Sequence, residues 1–242
     1  MTLDDQGLAG KLAQRVQALA SPDPRIRLFW CDLSCDPALA ALARDWLAPA
    51  ERARAARFGT EALRQRYVTG RAILRATLGQ RLHHDPPSVM IERGRRGRPQ
   101  LAGSAHLDFN VSHTGDVLLI GLAENVHVGV DVERVDRIIN VSGISRRCLS
   151  PAERAELRPF DEEAARQRVL RLWTCKEAMS KATGDALSAP FRELDVAFRP
   201  EPVLRAGPPP YLAAHWRLHA LTVPASHFAT LAVWSISVSQ PG

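Results

Sequence analysis

A heptapeptide recurs in this chain with one change: Leu47-Ala-Pro-Ala-Glu-Arg-Ala53 returns as Leu149-Ser-Pro-Ala-Glu-Arg-Ala155, an offset of 149 − 47 = 102 in 242 residues. The register continues. Phe58 falls on Phe160 and Arg64-Gln65-Arg66 on Arg166-Gln167-Arg168, and after a three-residue gap Arg71 to Gly79 falls on Lys176 to Gly184. Either a shared Ala-, Glu- and Arg-rich helical composition mimics a repeat, or the two halves share a plan; the sustained register favours the second. With 45% hydrophobic residues, each half of about 120 residues can bury a core of its own.

Each copy of the heptapeptide places proline in the first turn of a short helix, where its missing N–H is harmless. Ser150 and Glu153 add the S-x-x-E spacing of a capping box. The apolar period then predicts a longer helix in each half, over 61–78 and 162–183, with Gly79 and Gly184 as C-terminal stops. Alternating or β-branched runs predict strands at 88–92, 107–112, 117–123 and 128–133, and again at 194–198, 215–221 and 228–237. Helix followed by antiparallel sheet, twice over, is an α+β pseudo-dimer within one chain. The expected division is residues 1–126 and 127–242, with the boundary near Asn125 to His127. A ligand site is expected at the interface between the halves.

The formal charge of +6, carried largely by arginine, calls for a polyanionic partner: nucleic acid, an anionic membrane surface, an acidic protein or a phosphate-rich small molecule. The N-terminal stretch opens with acids and has neither a long apolar run nor a small-residue cleavage site. No signal peptide or membrane span is therefore expected, and the cytoplasm is the expected compartment. Cys31, Cys35, Cys148 and Cys175 are too few for a disulfide scaffold and lack the paired spacing of a zinc site, so reduced thiols are expected.

In Val128-Gly-Val-Asp-Val-Glu-Arg134, alternation puts the valines on one face and Gly129, Asp131 and Glu133 on the other. The two carboxylates stand about 7 Å apart by twice the rise per residue. They are either surface acids on a solvent-facing strand or a site for a hard cation such as magnesium, with Gly129 opening the backbone to close approach. The second long helix carries Trp-Thr-Cys-Lys-Glu-Ala-Met-Ser-Lys181, in which Glu177 and Lys181 share a face at i, i+4. Trp173, Lys176 and Lys181 are expected to surround Glu177, in a site suited to both metal and phosphate. The run Glu92-Arg-Gly-Arg-Arg-Gly-Arg-Pro-Gln-Leu101 reads as a phosphate grip, a charged hairpin tip or a nucleic-acid patch. Phe-Asn-Val-Ser-His-Thr-Gly115 offers Ser112, His113 and Thr114 to a phosphate, with His113 the strongest candidate among the histidines.

In this order the four segments resemble the Sfp-type 4'-phosphopantetheinyl transferases over about residues 47–190. That resemblance implies a pseudo-twofold monomer that binds coenzyme A in the cleft between its halves. It implies transfer of the 4'-phosphopantetheine group to a serine of an apo-carrier protein, with magnesium and release of 3',5'-ADP. Asp131, Glu133 and Glu177 would be the metal ligands. Arg54, Arg66, Arg98, Ser112 and His113 would grip the nucleotide end, with Arg52 and Arg71 as further contacts and Arg54 and Arg98 standing where relatives often carry lysine. Lys181 would meet the pyrophosphate, and the base would be Glu177 or a water activated by the metal. The carrier would be an acidic helical domain. The rival classes are a magnesium-dependent phosphohydrolase or nuclease and a nucleic-acid-binding module. Against the latter, aromatics make up only 6% of the chain and are not interleaved with the arginines.

Overall fold

The computed structural model describes residues 3–104 and 106–235. Helix α1 (Leu3–Ala13), strands β1 (Val16–Leu19) and β2 (Ile26–Asp32), and helices α2 (Pro37–Ala43), α3 (Pro49–Ala55) and α4 (Glu61–Leu82) come first. The hairpin of β3 (Ile91–Arg93) and β4 (Pro99–Leu101) follows, then β5 (Leu107–Thr114) and β6 (Val117–Glu124). The plan begins again with β7 (His127–Arg134), α5 (Val141–Cys148), α6 (Pro151–Glu156) and α7 (Glu162–Thr183). It closes with β8 (Asp195–Phe198), β9 (Pro202–Ala206), β10 (Trp216–Ala220) and β11 (His227–Trp234). One antiparallel sheet has the order β1-β2-β6-β5 and the other β10-β11-β7. The ordering β2-β6-β5 thus recurs as β7-β11-β10, and the mixed α+β architecture is duplicated in topology as well as in sequence.

The repeated unit begins with a strand, not with a helix as expected. β7 pairs with β11, nearly 100 residues further on, in the register Asp131↔Thr230. A further correction concerns α4, which passes Gly79 and ends at Leu82 with His83 in the left-handed region (φ 55°). Gly79 instead makes room for the returning chain: a Cβ there would lie 2.6 Å from the carbonyl oxygen of His84. Gly184 does end α7 with φ 78°. The strand expected at 88–92 is displaced by a 3₁₀ turn at Pro86–Ser88, because adjacent prolines cannot donate to a ladder. Positions 236 and 237 of the expected last strand lie outside the described residues.

The repeated heptapeptide is a helix-start device with a second purpose. In α6, Ser150 Oγ accepts from the Glu153 N–H while Glu153 Oε2 accepts from the Ser150 N–H at 2.7 Å. The same Glu153 carboxylate receives Lys176 Nζ at 2.6 Å, both side chains being fully buried. In the first half, Glu51 accepts from the Ala48 N–H at 2.9 Å and from Arg75 Nε at 2.8 Å, and also pairs with Arg71. Each short helix is therefore locked to the long helix behind it by a buried acid–base contact.

Three apolar clusters hold the layers. Val68, Ile73 and Leu78 of α4 lie in one cluster with Phe109 and Ile120 of the larger sheet. Val169, Leu172 and Met179 of α7 share another with Val196, Leu218 and Ala232. Between the sheets, Val128, Val130 and Val132 meet Leu28, Leu119 and Leu231. No helix among the described residues is long and apolar enough to cross a membrane.

Candidate active site at the seam between the sheets

Strand β7 is buried on both faces: Asp131 is 4% and Glu133 8% exposed, so these are not surface acids. One edge of β7 pairs with β11. Along the other edge, alternate side chains of β5 take the place of a partner strand. The N–H groups of Val128, Val130 and Val132 donate to Asp108 Oδ2 at 2.9 Å, Asn110 Oδ1 at 3.0 Å and Ser112 Oγ at 3.3 Å. This ladder of short polar side chains satisfies buried backbone donors that would otherwise be costly. Gly129 then admits α7, for a Cβ there would stand 1.8 Å from the Ala178 carbonyl oxygen. What approaches the glycine is the helix that carries Glu177 and Lys181.

Lys181 Nζ donates to Asp131 Oδ1 at 2.7 Å and to Ser112 Oγ at 2.8 Å, and Ser112 in turn donates to Asp131 Oδ1 at 2.8 Å. Among the described residues the second oxygen, Asp131 Oδ2, is buried without a hydrogen-bond partner. Glu133 forms an ion pair with Arg137. Burial, and then the neighbouring Asp131 charge, push the Glu133 pKa up to about 6. The same two causes, in the same order, raise Glu177, whose carboxylate forms no hydrogen bond or ion pair among the described residues. Asp131, Glu133 and Glu177 thus lie close enough to feel one another's charge, and only Glu177 lacks a paired cation among the described residues. No group of three His, Cys, Asp or Glu side chains among the described residues is close enough to hold a metal ion. Lys181 and Arg137 neutralise Asp131 and Glu133 instead. The donor set nevertheless suits a hard divalent cation: every candidate ligand is a carboxylate, one oxygen is buried and unpartnered, and burial followed by like charge raises two of the acids.

An open cavity of about 590 Å³ is lined by His113, Thr114, Glu133, Arg134, Arg137 and Ile138. A smaller one of about 230 Å³ is walled by Arg96, Arg98, Pro99, Phe109, Val111 and Lys181. His113 is exposed. Desolvation by its surroundings, and then the Lys181 charge, hold its pKa below the ordinary range, and Arg54 contributes in the same direction. Arg54 reaches over the Tyr67 ring at 5.6 Å. Arg66 donates to Asp116, on the turn after Gly115, at 2.5 Å.

Other expected contacts are committed elsewhere. Lys176 does not surround Glu177: it is sealed against Glu153 and the carbonyl oxygens of Cys148, Phe191 and Leu194, each at 2.7 Å. Arg71 is held by Glu51, and Arg52 donates to the Leu47 carbonyl oxygen at 2.5 Å. Ser112 is 5% exposed and its hydroxyl serves Asp131, Lys181 and Val132. Arg98 is bidentate to Asp108, both distances 2.8 Å. Two residues of the site escaped the sequence reading. Arg137 had only its place four positions after Glu133 as a signal, and Asp108 had only its alternation with Asn110 and Ser112.

Fold and site together define a duplicated α+β protein with an acid-and-lysine cluster between two sheets, flanked by arginines suited to phosphate. A model of the 4'-phosphopantetheinyl transferase superfamily matches residues 127–232, and a model of the 4'-phosphopantetheinyl transferase N-terminal region matches residues 36–125. The chain is similar to the 4'-phosphopantetheinyl transferase HetI of Nostoc, 35% identical over 62% of this chain and 64% of that protein. It is 31% identical to a Synechocystis protein provisionally named a 4'-phosphopantetheinyl transferase, over 72% of this chain and 70% of that one. The 4'-phosphopantetheinyl transferase AcpT of Escherichia coli K12 is 32% identical over 50% of this chain and 58% of its own. The matched segments therefore span 58% to 70% of these relatives' lengths. This chain belongs to the 4'-phosphopantetheinyl transferase superfamily. A solved holo-(acyl-carrier-protein) synthase from Bacillus anthracis shows a slighter likeness, with TM-score 0.38 and 20% identity over 46% of this chain and 98% of that one.

Proposed function

We propose that this protein transfers the 4'-phosphopantetheine group of coenzyme A to a serine hydroxyl of an apo-carrier protein, with magnesium, and releases 3',5'-ADP. The observation that carries the reading is the contact of Lys181 with Asp131 at 2.7 Å, between two cavities and beside two further acids with raised pKa. Asp131, Glu133 and Glu177 would hold the magnesium ion, which when bound supplies charge neutralisation to the pyrophosphate.

The protein's own task in such a transfer is to position the reactants and balance charge. Arg54 and His113, with Arg66 beside the neighbouring turn, bind the phosphates of the nucleotide end at the larger cavity. The smaller cavity, where Pro99, Phe109 and Val111 stand beside Arg96, Arg98 and Lys181, accepts a planar group of the donor. Lys181 donates a proton or a hydrogen bond to the departing phosphate oxygen as the phosphoanhydride bond breaks. Glu177, on the face of α7 that it shares with Lys181 at i, i+4, takes the proton of the attacking serine, directly or through a water.

The test is incubation with coenzyme A, magnesium and an apo-carrier protein, followed by mass spectrometry of the carrier. One added phosphopantetheine group is expected. Glu177→Gln and Asp131→Ala should each lower the rate by at least ~100-fold. Coenzyme A cleaved without any modified carrier would instead show a phosphohydrolase.

A further inference from the structure

We propose that Arg98 is a positioning residue that holds Lys181 in place from behind, and is not a phosphate ligand; this role rests on the transfer reading above. Lys181 lies in the last turn of α7, where backbone carbonyl groups have no partner within the helix. Arg98 Nε donates to the Lys181 carbonyl oxygen at 2.8 Å. The same guanidinium spans both oxygens of Asp108 and reaches the carbonyl oxygens of Phe109 at 3.3 Å and Val128 at 3.1 Å. One planar group from the basic loop therefore ties together β5, β7 and the end of α7. Asp108 completes the tie, since its Oδ2 also accepts the Val128 N–H at 2.9 Å.

Lys181 is thereby fixed at both ends. Its carbonyl group is held by Arg98, and its ammonium group by Asp131, Ser112 and the Val130 carbonyl oxygen. The Arg98 and Asp108 side chains are only 14% and 13% exposed, so the fork is buried in the seam and its Nε and both terminal nitrogens are engaged. Burial pushes the Asp108 pKa up, but His127, Arg98 and the Val128 N–H outweigh it and leave the group below its ordinary value, as a stable anion for the fork. Lysine carries the same charge but cannot span acceptors on three elements with one ammonium group.

The experiment compares Arg98→Lys and Asp108→Asn with the wild-type chain in carrier modification, in coenzyme A binding by calorimetry and in thermal unfolding. We expect kcat to fall by roughly 10- to 100-fold in both variants, as small misplacements of a reacting group do, while KM and Kd for coenzyme A stay within about threefold. Three results would overturn the role: an Arg98→Lys variant with wild-type kinetics, coenzyme A affinity weakened about tenfold at unchanged kcat, or loss of cooperative unfolding in both variants. An inactive wild-type chain would overturn the proposed activity and this role with it. An active wild type beside an unimpaired Arg98→Lys variant overturns this role alone.

Discussion

Glu133 is an acid buried beside another acid, and its pKa rises from 4.5 to about 6. Proton binding is tighter in the folded than in the unfolded state, so this group's contribution to stability is full below pH 4.5 and is lost as pH climbs through about 6. Replacing it with glutamine removes the ionisation. In the absence of divalent cations, the melting temperature of Glu133→Gln relative to wild type should rise between pH 4.5 and about 6 and level off above. A difference that stays flat across that range would show that Arg137 already compensates the charge. Arg137 is also the residue that sequence made hardest to foresee, because its ion pair forms only when the segment after β7 folds back over the strand.

Among the elements, the paired contacts behind the short helices bear most directly on stability. Burial pushes the Glu153 pKa up and the Lys176 pKa down, while their mutual attraction opposes both shifts. Glu153 also accepts from the N–H groups of Ser150 and Val196, so removing its cation leaves a buried carboxylate with no opposite charge. Lys176→Met should lower unfolding free energy by about 3–5 kcal/mol in urea titrations, the range for breaking a buried pair. A loss below about 1 kcal/mol would mean that Glu153 simply takes up a proton. Lys176 and Lys181 look equivalent along the helix, yet five residues separate them, roughly 140° around the axis at 3.6 residues per turn. Only contact with the rest of the fold decides which lysine faces the seam. Glycine follows the same logic: Gly79 read as a helix stop until the returning chain showed what it accommodates.

On the scale of the molecule, the charge of +6 is the property most open to test. Many of its arginines are matched by acids within the fold, as Arg81 is by Glu124 and Arg205 by Asp195. Others, such as Arg54, Arg146 and Arg147, are exposed. Under the proposed activity, exposed positive charge steers an acidic carrier towards the seam, and screening by salt weakens that steering. KM for the carrier should therefore rise several-fold between low and physiological ionic strength, measured as initial rates of carrier modification. A KM indifferent to salt would point to docking on apolar surface.

The duplication was legible in the chain because its signal is local: a proline at a helix start, a glutamate three residues inside it and a long helix behind. The placement of Asp131 with Glu133 and of Glu177 with Lys181 was legible because alternation on a strand and the i, i+4 spacing on a helix fix which side chains share a face. The spending of the cations was not legible. Arg71, Arg98 and Lys176 bind the protein's own acids and carbonyl groups, while Arg54 stays exposed beside His113. Composition treats all of these as equal positive charges. They become unequal only where β5 lies against β7 and α7 crosses Gly129, because desolvation and fixed geometry determine whether a charged group has a partner inside the fold or is left to find one outside.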